Sequence, residues 1–319
     1  MSRTRDKHQT RDQSHSLRTY SFLLTIVLLA MIIGGSYYNS LPKVGHIPDT
    51  FHFQSTSWMT FVPQTAQYVA YVDYQQAYSA SGNTFLFGTS PVFQFFQIPI
   101  NIPPQSVLYD LDIQVPVAGV SSSVVTVSVI ELRNDTMRIF TSELAKVEIP
   151  SSAYDGFPVY SLLIVNPVAS QQQKLLTGYV AVVEDVLIVS IDPKYGKSGV
   201  ETILDEYTSN APNLFANTDV RRGVYASGAA DVAYIGLFVG TFSSQFNNTR
   251  MIVKSIVSNG GGISVTRSIL FPTSDFAMSE FGHAHNVYRD ANSYIVLDQW
   301  LVISYSYTFD KLRGELTGI

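Results

Sequence analysis

The longest apolar run of the chain lies close to its N-terminus. Residues 19–42 contain no charged side chain, and the stretch from Phe22 to Ile33 is almost wholly aliphatic. The 19 residues from Tyr20 to Tyr38 approach the roughly 20 that a helix needs to cross a bilayer. Tyrosines at both ends suit the two membrane interfaces. The pattern therefore predicts a transmembrane helix within residues 19–42.

A cleaved signal peptide is the alternative interpretation of this segment. Such a peptide has a shorter apolar core followed by a cleavage site with small residues. Tyr37 and Tyr38 stand where those small residues should be, which favours an uncleaved signal anchor. The preceding tail, residues 1–18, carries five basic and two acidic side chains, whereas Lys43 is the single basic residue shortly after the span. This asymmetry predicts a cytoplasmic N-terminus and a C-terminal domain outside the plasma membrane.

Beyond the span, alternating apolar and polar positions predict an α+β ectodomain of antiparallel sheets with a few helices. Residues 179–191 predict a hairpin, because Glu184 and Asp185 interrupt an apolar run of 13 residues. A second hairpin is predicted over residues 251–270, turning at glycines that adopt positive φ without strain. The other predicted strands are residues 68–73, 123–131, 158–165 and 232–239; the predicted helices are residues 139–147, 200–207 and 276–289; residues 74–104 are left unassigned.

Two stretches of the ectodomain resemble each other. The segment from Glu184 to Ser190 aligns with the segment from Asp298 to Ser304 at an offset of 114 residues, and a stretch with helical spacing follows each. Residues 67–73 and 232–238 form a second similar pair. A duplication would divide the ectodomain into related modules, whereas chance similarity between hydrophobic hairpins is the simpler alternative. The predicted organisation is a basic tail (1–18), a signal anchor (19–42), a linker (43–60) and two modules (61–225 and 226–319).

Three segments of this pattern resemble a known family. They are Val-Pro-Gln-Thr-Ala-Gln-Tyr-Val-Ala-Tyr-Val-Asp at residues 62–73, the strand after Tyr-Asp-Gly-Phe-Pro-Val-Tyr at residues 154–160, and the hairpin plus helix at residues 179–207. In this pattern the chain resembles prokaryotic membrane-anchored envelope proteins of unknown function, built from repeated α+β modules. The resemblance covers about half of the chain, and the aromatic residues 74–104 depart from it. It implies a topology and no activity.

Composition sharpens this picture because the chain is poor in charge. Of its 319 residues, 14% are charged, against roughly a quarter in an average soluble protein. The whole chain carries 20 Lys and Arg and 25 Asp and Glu; residues 1–39 hold five and two of these, which leaves 15 and 23 beyond them. The deficit is sharpest in residues 44–132, which contain five acids and no Lys or Arg. We interpret it as a property of the ectodomain surface.

The same composition excludes several kinds of protein. Without cysteine there is no disulfide framework, no thiolate metal site and no cysteine nucleophile. An excess of carboxylates, with no basic run beyond the tail, argues against nucleic-acid binding. The sequence also lacks the zincin, nucleophile-elbow, Walker and dinucleotide-binding motifs. We therefore expect a non-enzymatic protein with no cofactor.

Two pairs of side chains are candidate metal ligands. His283 and His285 form a histidine pair that would share a face on a strand, whereas on a helix the two lie roughly 200° apart and are better read as surface residues. Asp110 and Asp112 would present two carboxylates to calcium from one strand face, the simpler alternative being a solvated strand edge. Neither pair predicts a metal site by itself.

Two sequons provide candidate glycosylation sites. Asn134 and Asn247 each begin an Asn-x-Thr sequence, and both fall in predicted loops of the external segment. Modification there depends on a host that glycosylates. The sequence predicts that these asparagines are accessible if the topology is right.

Three functions from different classes fit these features. The first is a non-catalytic envelope protein, held in the lipid bilayer from Phe22 to Ile33, that presents Tyr-, Gln- and Asn-rich surfaces to a protein or glycan partner. The second is an accessory subunit of a membrane complex. The third is an ectoenzyme with dispersed site residues, for which a pocket that joins several ionisable groups would be the deciding observation. We expect the first.

Overall fold

The fold is taken from a computed structural model. It divides the chain into two units, Met1–Lys43 and Val44–Ile319. The residues that the structure describes are 27–33, 43–49, 51, 56–76, 102, 104–120, 123–146, 151–165, 175–209, 211–228, 232–239, 248–259 and 262–307.

The larger unit is built on one antiparallel sheet. Its strands are β1 (Lys43–Gly45), β2 (Tyr68–Asp73), β3 (Val107–Pro116), β4 (Val124–Leu132), β5 (Ser151–Tyr154), β6 (Phe157–Val165), β7 (Leu175–Val183), β8 (Val186–Ser190), β9 (Val232–Val239), β10 (Met251–Asn259), β11 (Gly262–Leu270), β12 (Ser293–Leu297) and β13 (Trp300–Tyr307). The described strands lie in the order β1-β12-β13-β11-β10-β9-β2-β3-β4-β8-β7-β6-β5. The pairings from β12 through β5 are antiparallel.

Besides the helical residues 27–33 and 74–76, four α-helices and three short 3-10 helices lie within the described residues. The α-helices are α1 (Asn134–Lys146), α2 (Gly196–Thr208), α3 (Thr218–Ala226) and α4 (Ser274–Val287); the 3-10 helices are Ser57–Phe61, Pro104–Ser106 and Leu214–Ala216.

The strand order repeats in the two halves of the sheet. One half runs β2-β3-β4-β8-β7 and the other runs β9-β10-β11-β13-β12, each with a helix between its third strand and its final hairpin. The halves join where β2 pairs with β9, Tyr68 lying opposite Phe238. The hairpins that the sequence aligns, β7–β8 and β12–β13, take equivalent places, and Glu184 and Asp298 both begin their turns with positive φ, at 52° and 53°. β5 and β6 are an addition to the first half.

The sheet is covered on both faces. Along β4, Val129 belongs to a core formed with α2 and α3, whereas the next residue, Ile130, belongs to a core formed with α1. Along β13, Trp300 joins the first core and Leu301 joins a third, formed with α4. Since neighbouring residues of a strand point to opposite faces, α2 and α3 lie on one side of the sheet and α1 and α4 on the other.

Most predicted elements of the ectodomain are confirmed, with the α+β class and the antiparallel pairing. The strand predicted over residues 68–73 and the one predicted over residues 232–239 match β2 and β9. The helix predicted over residues 139–147 begins earlier, at Asn134, which was expected to be a turn. Asp110 and Asp112 were expected on a strand, but the bounds of β3 were not predicted, and helix α3 was not predicted. The helical stretch expected after the second hairpin, residues 309–316, lies outside the described residues.

The predicted span is described only in part. Residues 27–33 are helical, and the rest of residues 19–42 lies outside the described residues. Among the helices that the structure describes, none has the length and apolar character to cross a membrane.

Candidate functional site

A cleft of about 270 Å³ opens beside the β7–β8 turn. This volume is near the lower end of the ~300–1,000 Å³ that ligand pockets occupy. Five separate parts of the chain meet there: the first 3-10 helix, strand β3, strand β4, the β7–β8 turn, and the last turn of α2. The described residues that line the cleft are Ser57, Thr60, Phe61, Tyr109, Glu131, Val183, Glu184, Asp185, Val186 and Tyr207.

Three carboxyl groups converge on the cleft because of strand register. Val183 pairs with Val186, which leaves Glu184 and Asp185 as a two-residue turn. Glu131 pairs with Val186 on one side and with Tyr109 on the other. The backbone carbonyl of Asp185 accepts a hydrogen bond of 3.1 Å from the amide of Leu132, which holds the turn against the end of β4.

The cleft is unfavourable for the negative charge that it carries. Partial burial, and then the charge of Asp185, raise the pKa of Glu131. Burial also raises the pKa of Tyr207, and the charge of Glu184 and a hydrogen bond with that carboxylate add to the effect. No Lys, Arg or His is among the described residues that line the cleft, so nothing in this lining neutralises the three carboxyl groups.

Aromatic rings form the remaining wall. The rings of Phe61 and Tyr207 stack with centroids 5.1 Å apart and planes 9° from parallel. Tyr109 is only 6% exposed, and burial, followed by the charge of Glu131, raises its pKa far above the ordinary value. Its hydroxyl is therefore protonated at neutral pH. The cleft thus offers a protonated hydroxyl beside carboxylates and ring faces.

The sequence contained a signal for one of these residues. Val125, Val127, Val129 and Glu131 occupy the same face of β4, so a carboxylate ends an otherwise apolar series. Glu184 and Asp185 were interpreted as no more than a polar hairpin tip. Tyr109 and Tyr207 carried no such signal, since each is one tyrosine among 19.

A second cluster of charged groups surrounds the other repeated turn. Nδ1 of His46 lies 2.5 Å from Oδ1 of Asp298, whose second oxygen accepts a hydrogen bond of 3.1 Å from the amide of Ile47. Asp49 lies 3.7 Å from Nε2 of His46 and 3.6 Å from Nη2 of Arg222. This cluster, which we call the His46 clamp, fixes residues 46–47 to the β12–β13 turn.

The His46 clamp shifts the pKa values of both His46 and Asp298. The hydrogen bond and charge of Asp298 raise the pKa of His46. Burial alone would raise the pKa of Asp298, but hydrogen bonds from His46 and Ile47 outweigh it and lower that pKa. The paired charged forms are therefore favoured. With its imidazole exposed, the clamp is a structural tie rather than an enclosed site.

The histidine pair of the sequence lies on a helix. His283 and His285 are both exposed on α4, so the geometry that would bring them together on a strand is not present. His285 instead stacks on Tyr294 with ring centroids 4.1 Å apart. Among the described residues no group of three or more His, Asp or Glu side chains is placed to hold a metal ion.

Asp110 and Asp112 lie on one face of β3, in the interior of the sheet. Asp110 is only 4% exposed, so the expected solvated edge is wrong for this residue. Asp112 is half-buried and accepts a hydrogen bond from the hydroxyl of Ser128 on β4. The buried position of β3 explains why these acids are not solvated.

The two sequons differ in what the structure describes. Asn134 is exposed, as expected, but it occupies the first turn of α1 rather than a loop. Asn247 lies outside the described residues.

Comparison with known proteins adds similarity to solved structures. No protein-family model matches the chain, and no curated protein matches it. Crystal form IV of TP0453 is similar, with 10% identity, a TM-score of 0.47, and coverage of 83% of this chain and 100% of that one. Crystal forms I and III give identities of 9% and 8%, TM-scores of 0.44 and 0.45, and coverage of 80% and 83% of this chain against 94% and 99% of theirs. A similarity this distant carries no argument about function.

Proposed function

We propose that the chain is a single-pass membrane protein whose C-terminal domain lies outside the cell and has a non-catalytic binding role at the envelope. The cleft beside the β7–β8 turn is the observation that carries the binding role. It joins polar groups from five parts of the chain in a concave site, which is the usual form of a ligand site. We retain a protein or glycan of the envelope as the partner class, because uncharged polar surfaces dominate the composition.

The apolar segment supports the membrane part of the proposal. All described residues of 27–33 are exposed, and the large aliphatic ones show 49% to 65% of their surface. A continuous apolar patch of this kind in water marks an interaction surface. Lipid is the partner that fits, because the residues from Phe22 to Ile33 contain no charge and basic residues precede them.

The topology can be tested cleanly because the chain has no cysteine. Ser279→Cys places a thiol on the exposed face of α4, and Ser14→Cys places one in the basic tail. We expect a membrane-impermeant maleimide to label S279C on intact cells and S14C only after permeabilisation. The reverse pattern, or recovery of the chain in the soluble fraction, would overturn the anchored topology. The mass of the mature chain distinguishes an uncleaved anchor from a processed one.

Purification in mild detergent tests whether the protein acts alone. We expect the chain to be recovered without stoichiometric integral membrane subunits. Stoichiometric recovery of such subunits would replace the free-standing role with that of an accessory subunit.

An ectoenzyme is a second candidate, and the same cleft favours it. Its pocket joins several ionisable groups, and Glu131 has a raised pKa beside other carboxyl groups, an environment in which acid and base roles separate. If the binding role is correct, a bound ligand is recovered chemically unchanged after prolonged incubation. Turnover that Glu131→Gln abolishes would establish the enzyme instead.

A further inference from the structure

We propose that the cleft beside the β7–β8 turn binds an organic cation, namely an amine or quaternary ammonium group that its envelope ligand carries, between its carboxylates and its aromatic wall. This inference deepens the proposed binding role and rests on it. Three features of the cleft lead to it: its uncompensated charge, its aromatic wall with a hydroxyl that lines the cleft, and its difference from the equivalent place in the other half of the sheet.

The first feature is charge. Glu131, Glu184 and Asp185 line one small cleft without a described basic residue among the lining side chains. Like charges that share a partly desolvated site destabilise one another. A bound cation would relieve this repulsion, whereas an anion would add to it. The cleft therefore selects for positive charge.

The second feature is the aromatic wall. The stacked rings of Phe61 and Tyr207 border the cleft, and aromatic faces attract ammonium groups electrostatically. Tyr109 is only 6% exposed, yet its hydroxyl is not among the buried side-chain atoms of the described residues that lack a partner. Because the residue lines the cleft, this hydroxyl is available to pair with a group bound there.

The third feature is the contrast between the repeated halves. Counting from the equivalent turns, the positions of Tyr109, Glu131 and Val186 correspond to Met251, Leu270 and Trp300. These three residues are at most 4% exposed and belong to the apolar core. Tyr109 and Val186 belong to the same core, so the contrast lies in Glu131, which places a carboxylate where the other half has the apolar Leu270. An apolar side chain at this position is compatible with the fold, so the carboxylate serves another purpose.

The geometry favours an organic cation over a metal ion. Among the described residues no three acidic or histidine side chains are grouped closely enough to hold a metal. The cleft is also larger than a bare ion, and a water molecule occupies ~30 Å³ of liquid. Its volume of about 270 Å³ and its ring faces suit a molecule with several carbon atoms around the charge.

The test uses the full chain in mild detergent and isothermal titration calorimetry. The probes are choline and putrescine, and the matched control ligand is 3,3-dimethyl-1-butanol, which has the shape of choline without its charge. We expect both cations to bind and the neutral alcohol to bind at least about tenfold more weakly, since charge-assisted contacts are worth that much. Equal binding of choline and the alcohol, or no binding of either cation at about 10 mM, would overturn the proposal.

Variants locate the binding in the cleft. Glu131→Gln should lower the affinity for the tighter-binding probe by about tenfold, because one charge-assisted contact is lost. Glu206→Gln is the matched control: Glu206 is also half-buried with a pKa raised by burial, yet it does not line the cleft, so its loss should leave affinity unchanged. Tyr109→Phe removes only the hydroxyl that lines the cleft and tests the site again should E131Q fold poorly by circular dichroism. Unchanged affinity in both E131Q and Y109F would place the binding elsewhere and refute the site.

The labelling test of topology and this titration fail independently. If the labelling is as expected but no cation binds, the proposed membrane topology stands and the proposed ligand class is refuted. If choline binds in the cleft but the labelling pattern is reversed, the proposed cation site stands and the proposed membrane topology is refuted.

Discussion

The packing of α3 against the sheet gives the sharpest stability prediction. Gly223 is buried in this helix, and a Cβ at its position would lie 2.5 Å from Cη2 of Trp300 and 2.8 Å from Cγ2 of Val253. Both neighbours are rigidly held, with Trp300 2% and Val253 0% exposed. Neither can move without displacing the core, so Gly223→Ala forces an overlap.

The change in the free energy of unfolding caused by Gly223→Ala is the difference between two effects. Overpacking a well-filled core costs about 1–3 kcal/mol. Replacing glycine by alanine within a helix returns roughly 1 kcal/mol through helix propensity. The contact is shorter than real Cβ atoms show, so the cost belongs at the upper end. We expect G223A to lower the free energy of unfolding by about 1–2 kcal/mol.

The matched control is the same substitution on α4. Gly282 is exposed, and a Cβ there meets nothing within 4 Å. Gly282→Ala should therefore raise the free energy of unfolding by about 0.5–1 kcal/mol. Urea titration of the full chain in detergent, followed by circular dichroism, gives both values. A G223A chain as stable as its parent, or changes of the same sign in the two variants, would refute the packing argument.

Four further predictions concern other parts of the structure. In NMR titrations Asp298→Asn should return the pKa of His46 toward 6.5, because the carboxylate raises it, and a parent value at or below 6.5 would contradict this. The His46 clamp should stabilise the fold most between pH 3.8 and 6.5. The contribution of His46 is complete below pH 6.5 and is lost as the pH rises through its raised pKa. The contribution of Asp298 is complete above pH 3.8 and is lost as the pH falls through its lowered pKa. Gly156→Ala should cost ~1–2 kcal/mol in urea titrations because its φ of 87° strains any side chain, although space for a Cβ exists, and an unchanged midpoint would count against it. Tyr154→Phe removes hydroxyl contacts of 3.0 Å to both carboxylate oxygens of Asp205 and should cost ~0.5–1 kcal/mol at this exposed position, a loss that should vanish in a chain already carrying Asp205→Ala.

The apolar pattern predicts the hairpins and strands well for a physical reason. In β2, β9 and the two repeated hairpins, consecutive β-branched and aromatic residues are bounded by polar turns, and these apolar runs are buried in the middle of β2 and along the whole of β8. The bounds of strand β3 were not predicted because Asp110 and Asp112 interrupt its apolar series, although the sheet buries both faces around them. Helix α3 was not predicted because it is short, and Gly223 lowers its propensity while improving its packing.

The interpretation of the charge deficit as a surface property is wrong for part of residues 44–132. Strands β2, β3 and β4 are central in the sheet, with helices on its two faces, and most of their side chains are buried. Lys and Arg are rare there because a buried charge needs a partner. The low charge content of these strands therefore results from their burial in the sheet and not from the surrounding solvent.

The cleft was beyond sequence reasoning because strand order assembles it. Its residues come from positions near 60, 109, 131, 185 and 207, and β4 lies beside β8 rather than beside the strand that follows it in the chain. Local patterns describe each strand, but they do not say which strands become neighbours.

The seam between β2 and β9 has a consequence for how the protein is made. The ribosome delivers β2 long before β9, and until β9 arrives β2 has β3 on one side and an open row of amides and carbonyls on the other. Such a row recruits other strands, including those of a second copy. Val69, Ala70 and Tyr71 are all at most 9% exposed in the finished sheet, so this transient edge is also apolar. Pairing between the halves therefore covers the exposed edge strand of each one. A chain that stops between them is expected to aggregate rather than fold as half a protein.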